Sequence, residues 1–327
     1  MPRQARLDIP GALHHIMVRG IDKTDIFRDD QDRNLFLERL GLTVVEGKST
    51  VYAWALMRNH AHVLFKSGKD GIASVMRKLL TWYAQYFNRC HTRTGHLFEN
   101  RYKSILCDED NYLLTLVRYI HLNPIRAGIV KTIEELDRDP WCGHRTLIGK
   151  AKQPWMDVDS VLSQFGDTWR KAISEYRRFM QEGVGRGKVT ELTGGGLIRS
   201  QGGWSQVLAM RSRGQKEDFD QRILGGGEFV NQILKEAEER HLRQLKHKRS
   251  GKTIQTIIEE ECRRSGINPL EVRGGGKRRK VSGTRATIAM RGREELGLSA
   301  AAIARNVGVS TSAITKAIER MEQETGR

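Results

Sequence analysis

Short apolar runs at residues 12–19, 51–57 and 61–66 predict strands, and between and after them the apolar spacing changes to that of helices. Residues 31–45 place Leu35, Phe36, Leu40 and Val44 on one stripe, and residues 72–88 do the same with Ile72, Val75, Met76, Leu79, Leu80, Tyr83 and Phe87. A basic loop is expected to follow through Arg101-Tyr102-Lys103. The next helix, 111–122, should stop near Asn123-Pro124, because proline disfavours the α conformation in the residue before it. The order β-α-β-β-α predicts an α+β class with a ferredoxin-like antiparallel sheet and helices on one face.

Beyond about residue 150 the texture changes. Gly194–Gly196, Gly202–Gly203, Gly225–Gly227 and Gly274–Gly276 punctuate short helical stretches and read as joints between them. A charged helix is expected over 229–246, a densely basic stretch over 243–252, and helices with short turns from 286 to 321. The chain therefore divides into a domain at 1–150, a helical linker region at 151–240 and a basic helical region at 241–327. The extension should be all-α.

Composition narrows the partner. The 327 residues carry 56 lysines and arginines against 39 acidic residues, a net charge of +17, which favours a polyanion and nucleic acid first. The four cysteines have no C-x-x-C spacing, so a zinc ribbon or disulfide scaffold is not expected. No apolar run approaches the ~18 residues of a membrane helix, and the first residues lack a signal-peptide core. A cytoplasmic protein with no membrane partner is the expectation.

His60 and His62 carry the most chemical information. Residues two apart on a strand point the same way, so both imidazoles can grip one divalent ion. The same spacing also suits a core strand continuing into Val63-Leu64-Phe65. On the helix at 111–122, Leu113, Leu116, Val117 and Ile120 form the core stripe, while Tyr112, Tyr119 and Asn123 fall roughly 80–120° away at its edge. An ion held by His60, His62 and the Asn123 amide could polarise a phosphodiester for attack by Tyr119. A phenol with a free pKa near 10 needs help to ionise, and its reward is a covalent phosphotyrosine that conserves the broken bond's energy. Tyr112, Tyr83 and Tyr86 are rival nucleophiles at this point. His121 and His96 read as surface or loop residues.

Three motifs then stand in order: Arg58-Asn59-His60-Ala61-His62-Val63-Leu64, Gly95-His96-Leu97-Phe98-Glu99-Asn100-Arg101-Tyr102-Lys103, and Tyr119-Ile120-His121-Leu122-Asn123-Pro124-Ile125-Arg126-Ala127-Gly128. Together they resemble the HUH-superfamily single-tyrosine transposases, and among these the REP-associated tyrosine transposases, over roughly residues 1–150. The resemblance implies a ferredoxin-like fold in which His60 and His62, completed by Asn123, hold Mg2+ or Mn2+. It implies that Tyr119 attacks single-stranded DNA, leaving a 5′-phosphotyrosine and a free 3′-hydroxyl. It also implies substrates that are foldback hairpins flanked by short single-stranded guides. Arg58 departs from the proline found in many members, which should alter the approach to the strand more than the chemistry. Relatives act as monomers or homodimers, so the oligomeric state stays open.

Near the carboxy terminus, residues 298–318 have the pattern of a helix-turn-helix. Ala304 permits close helix approach, Gly308 suits the turn, and Val309, Ile314 and Ile318 point inward. Ser310, Thr311, Ser312, Thr315 and Lys316 are left for phosphates or base edges. Upstream, Arg273 and Lys277-Arg278-Arg279-Lys280 suggest a phosphate-tracking arm, and Arg101 and Lys103 could guide the strand.

The expected function is a metal-dependent single-stranded DNA endonuclease and strand transferase with a duplex- or hairpin-recognition module. A domesticated transcriptional regulator and a replication or conjugation initiator nickase are the alternatives.

Overall fold

The computed structural model describes residues 7–69, 71–185, 220–249, 252–276 and 278–325. The predicted joints at Gly194–Gly196 and Gly202–Gly203, Lys277, and the basic side chains between 243 and 251 lie outside the described residues. The chain separates into two compact units, Met1–Ile233 and Leu234–Arg327.

In the first unit β1 (Leu13–Arg19), α1 (Asp30–Glu46), β2 (Thr50–Met57), β3 (His60–Lys66), α2 (Gly71–Cys90) and β4 (Lys103–Cys107) follow in order. The sheet order is β2-β3-β1-β4, with β1 antiparallel to both β3 and β4, and β2 antiparallel to β3. This is the ferredoxin-like arrangement predicted from the element order. A two-residue β5 (Ile223–Leu224) adds in parallel to β4.

The correction lies at β4. The basic loop ends at Tyr102, and Lys103 opens a strand pairing from Met17↔Lys103 to Leu13↔Cys107. Only Ser104-Ile105-Leu106 separates Lys103 from Cys107, too short an apolar run to stand out from the charged loop before it.

Local chemistry explains the element ends. The Asp29 side chain accepts from the Asp32 amide and caps α1. Asp8, distant in sequence, accepts from the amides of Ile72 (2.7 Å) and Ala73 (3.0 Å) at the start of α2. Asp108 caps α3 (Glu109–His121) through the Asn111 amide. That helix ends at Leu122, and α4 (Asn123–Arg126) follows with Pro124 in its first turn, where a missing N–H costs little.

Right-handed crossovers place α1 and α2 over one sheet face, above buried Ile16, Val18, Ala61, Val63 and Phe65. Helix α3 packs on β2 and β3. The core of this unit continues past residue 150, taking in Met156, Val161, Leu162 and then Ala172, Tyr176 and Met180 of the helix Trp169–Val184.

The second unit has its own core of Ile257, Ile258, Cys262, Val272, Val281, Ile288, Ile303, Val307, Ile314 and Ile318. Its described secondary structure is all helical: the latter part of Gly227–Arg249, then Ile254–Ser265, Pro269–Arg273, Arg279–Leu296, Ala300–Val307 and Thr311–Thr325. Gly308-Val309-Ser310 joins the last two. Gly308 has φ +66°, and a Cβ there would lie 1.6 Å from the Arg273 carbonyl oxygen, so only glycine fits this turn. The buried Arg285 donates to the carbonyls of Val272 (2.9 Å) and Gly276 (3.2 Å), fixing the loop ahead of the basic arm.

Candidate active site

Register decides which side chains share the face of the sheet under α3. Met17 lies opposite both His62 and Lys103, Arg19 opposite His60, and His15 opposite Leu64 and Ile105. Directly paired residues point to the same side. His15, Met17, Arg19, His60, His62 and Lys103 are therefore on one face, whereas His14, adjacent in sequence, faces the other way and meets the Ser104 hydroxyl at 3.1 Å.

Helix α3 brings Tyr119 to that face. Its ring centre is 6.1 Å from that of His62 and 5.7 Å from that of His15, edge-on to each, and the His60 and His62 rings are 5.3 Å apart. Leu116, Val117 and Ile120 are buried and Tyr119 is half-buried, as the helical stripe predicts. The histidine pair and Tyr119 thus meet, although 57 positions separate His62 from Tyr119 in sequence.

The rival tyrosines have other employment. Tyr83 is fully buried and donates to the Ile26 carbonyl at 2.6 Å, and Tyr86 donates to Asp32 at 3.1 Å. Burial raises the phenol pKa of both, with Asp32 adding to the effect. Tyr112 is half-buried against the same core.

Hydrogen bonds hold both imidazoles and fix the tautomer of His60. Asn59 donates from Nδ2 to the Lys23 carbonyl at 3.0 Å, which turns its Oδ1 toward His60 Nδ1 at 2.6 Å. Oδ1 can only accept, so His60 Nδ1 carries the proton and Nε2 keeps its lone pair. His62 Nδ1 is 2.9 Å from His15 Nε2. Burial lowers the pKa of both His60 and His62, with the Arg19 charge adding at His60 and the neighbouring His15 and His60 adding at His62. Neutral imidazoles with one nitrogen committed to a partner are the form that binds a metal ion.

Asn123 opens α4 and is half-buried, with a buried Nδ2 that has no hydrogen-bond partner. The two ends of an amide can be exchanged without a change of shape, and the exchange sets an acceptor oxygen in that position. Two neutral imidazoles on one sheet face are a ligand pair that suits a divalent cation.

Arg126 sits beside the tyrosine. Its guanidinium lies 5.1 Å from the Tyr119 ring centre, and its Nη1 donates to the Tyr119 carbonyl at 3.0 Å. Burial raises the Tyr119 pKa, and the Arg126 charge opposes that rise.

Residues 10–123 match the family model of IS200-like transposases. Over this stretch the chain is similar to IS200-like transposases. Among solved structures the chain is similar to a REP-associated tyrosine transposase bound to a REP hairpin, at 18% identity over 48% of this chain and 93% of that one, with a TM-score of 0.35. No curated protein matches the chain.

Within the first unit, His15, Arg19, Asn59 and Arg126 escape sequence reasoning as site residues. Arg19 and His15 become visible only once the β1–β3 register is known. Arg126 had a signal, since seven positions are two helical turns from Tyr119.

His121 needs correction. It is fully buried, not a surface residue, and its Nδ1 lies 2.9 Å from the Tyr176 hydroxyl, which also contacts His144 Nδ1 at 2.8 Å. His144 Nε2 meets Asp137 at 2.9 Å. His96 is exposed in its loop, as expected. Arg101 and Lys103 are exposed, with Lys103 on the histidine face, and Arg58 pairs with Asp25 at 2.6 Å.

One further group of ligand-type side chains, Asp29, Asp32 and His91, clusters among the described residues. Its carboxylates are already engaged: Asp29 caps α1, and Asp32 accepts from the Arg28 amide, Tyr86 and His91. It reads as structural. No helix among the described residues is long and apolar enough to cross a membrane.

In the second unit Arg278, Arg279, Lys280, Ser310, Thr311, Ser312, Thr315 and Lys316 are all exposed, and Arg278 is ion-paired with Glu271. Ile314 and Ile318 are buried, as the inward-facing pattern requires.

Proposed function

We propose that the transposase domain cleaves and rejoins single-stranded DNA through Tyr119. The observation that carries this reading is the meeting of the Tyr119 ring with His62 and His60 on one sheet face, at 6.1 Å and 5.3 Å between successive ring centres. His60, His62 and Asn123 are the residues that would hold Mg2+ or Mn2+, which when bound neutralises charge on the scissile phosphate and orients it. Tyr119 Oη gives up its proton and attacks phosphorus, the bond from phosphorus to the 3′-oxygen breaks, and that oxygen takes up a proton in exchange. The products are a 5′-phosphotyrosine and a free 3′-hydroxyl, and reversal with another 3′-hydroxyl rejoins the strand. Arg19 and Lys103, on the same face, and Arg101 just before it supply positive charge along the strand's path.

In the second unit we read Ala300–Val307 and Thr311–Thr325 as a helix-turn-helix, with the later helix entering a duplex groove. Ser310, Thr311, Ser312, Thr315 and Lys316 would meet bases and phosphates, and Lys277, Arg278, Arg279 and Lys280 would track the backbone. Hairpin DNA offers both a duplex stem and single-stranded flanks, which matches one protein carrying both kinds of site. The net charge of +17 supports the polyanion.

The test is a denaturing gel after incubation with Mn2+ and single strands that carry hairpins. A DNA-linked protein band is expected from the native chain and none from Tyr119→Phe. An undiminished band from that variant would transfer the role to another tyrosine, and no band from either would overturn the reading.

A further inference from the structure

We propose that His15 is a positioning residue that holds His62 in the tautomer able to ligate a metal and supports the Tyr119 ring with the same imidazole; this rests on the function proposed above. Two site residues, His62 and Tyr119, converge on His15. Its Nε2 lies 2.9 Å from His62 Nδ1, the two rings meet edge to edge with centres 5.1 Å apart and planes only 26° apart, as an in-plane hydrogen bond requires, and the Tyr119 ring stands edge-on to it at 5.7 Å. Both histidines are buried, at 2% and 6% exposure, so water does not compete for that hydrogen bond.

The single proton between the two nitrogens has two possible owners. If His15 Nε2 carries it, His62 Nδ1 accepts, the other His62 nitrogen must be protonated, and that ring has no lone pair to give. If His62 Nδ1 carries it, His15 Nε2 accepts and His62 Nε2 keeps a lone pair to give to a metal ion. Only the second state serves a metal site. Asn59 imposes the same state on His60 from the other side. The pair thus has two separate orienting acceptors, an amide oxygen for one ring and an imidazole nitrogen for the other. Removing such a partner typically weakens metal binding about 10–100-fold.

Placement supports a role beyond packing. An apolar residue would fill this interior position without a polar partner to satisfy. His15 instead bridges β3, which supplies the ligand, and α3, which supplies the nucleophile.

The experiment uses the full chain, 15N-labelled on histidine, and Mn2+ as probe. Nitrogen shifts of His62 in the metal-free protein report its tautomer, and electron paramagnetic resonance titration reports Mn2+ affinity. His15→Phe keeps an aromatic ring but removes the acceptor; His15→Gln can set Oε1 where Nε2 stood. Expected are an Nδ1–H His62 in the native chain, an affinity loss on the order of 10-fold or more in His15→Phe, and recovery to within about 3-fold in His15→Gln. A native His62 protonated on Nε2 overturns the proposal, as does native-like affinity in His15→Phe. Should His15→Phe not fold, the native tautomer and the Gln variant still decide. Failure of the underlying metal reading looks different: the native chain would bind Mn2+ no better than His60→Ala/His62→Ala, whatever the tautomer.

Discussion

Arg126 holds Tyr119 by its two ends, donating from Nη1 to the Tyr119 carbonyl at 3.0 Å while its guanidinium lies 5.1 Å from the centre of the ring. The carbonyl sits at the break between α3 and α4, where the helical ladder is interrupted. A charge-assisted bond of this kind contributes about 2 kcal/mol. Arg126→Leu is therefore expected to slow covalent adduct formation by roughly 30-fold. Arg126→Lys should recover only part of this, since an ammonium lacks the planar fork. Single-turnover rates on a hairpin-bearing strand measure it; an unchanged rate for Arg126→Leu would confine Arg126 to a packing role.

The Tyr176 hydroxyl sits in a chain whose directions follow from its end. Asp137 accepts, so His144 donates from Nε2 and accepts at Nδ1 from Tyr176, whose oxygen in turn accepts from His121 Nδ1. Tyr176→Phe removes one donor and one acceptor at once and strands two buried ring nitrogens. A loss of about 2–3 kcal/mol in the urea unfolding of the amino-terminal unit is expected. Because His121 lies two residues from Tyr119, adduct yield near the unfolding midpoint should fall in parallel. A variant as stable as the native chain would show that water replaces the hydroxyl.

Burial pushes the His14 pKa down to about 4 from 6.5, against the raising effect of Asp8. Above pH 6.5 the ring is neutral whether the chain is folded or not, and its contribution to stability is complete. As pH falls from 6.5 toward 4 the unfolded chain takes up a proton that the folded one refuses, so stability declines. The loss from His14 amounts to about 3 kcal/mol across that window. His62, His121 and His144 are lowered too and add in the same direction. Urea midpoints measured between pH 7 and 4 should fall steeply for the native chain and less for His14→Gln. Equal slopes would show that His14 is accessible to protons in the folded state.

Much of this fold is legible in the apolar spacing, and the reasons for the gaps are physical. Strands β1, β2 and β3 and helices α1, α2 and α3 are long enough for their periods to show. Strand β4 is not, because five residues beginning with a lysine offer too few apolar positions. His60 and His62 are legible as a pair since their separation matches the strand period itself. His15 is not, because its membership of the site depends on which residue of β3 it faces. The two histidines at positions 14 and 15 have opposite fates for that reason alone: one enters the core beside Ser104, the other joins the site. His121 is misread because its partner Tyr176 lies 55 positions further on, in a helix with no motif to announce it.

Gly308 sets the turn between the last two helices at φ +66°, hard against the Arg273 carbonyl. Alanine there meets both the left-handed conformational cost and a clash with backbone that cannot swing aside. Gly308→Ala should destabilise the carboxy-terminal unit by about 2 kcal/mol or more and leave covalent cleavage of a short single strand unaffected. Calorimetry of the full chain would place the loss in one transition only. A native-like profile would mean that the turn and the Arg273 loop can separate at little cost.

Arg279 and Lys316 are exposed, and each is expected to neutralise one phosphate of a duplex stem. Each such contact releases condensed counterions, so the logarithm of affinity falls with the logarithm of salt concentration by roughly 0.9 for each phosphate neutralised. Removing both side chains in Arg279→Ala/Lys316→Ala should weaken binding to all duplex sequences alike and flatten the salt dependence by about 2. A base-reading residue behaves differently. Ser312→Ala should alter the ranking of stem sequences while leaving the salt slope unchanged. Fluorescence anisotropy with stems of varied sequence, repeated from 50 to 300 mM salt on the order of those limits, separates the two effects. A double variant with the native slope would move the duplex contact off these two residues and onto other cationic side chains, of which Arg19 and Lys103 share a sheet face with the histidines.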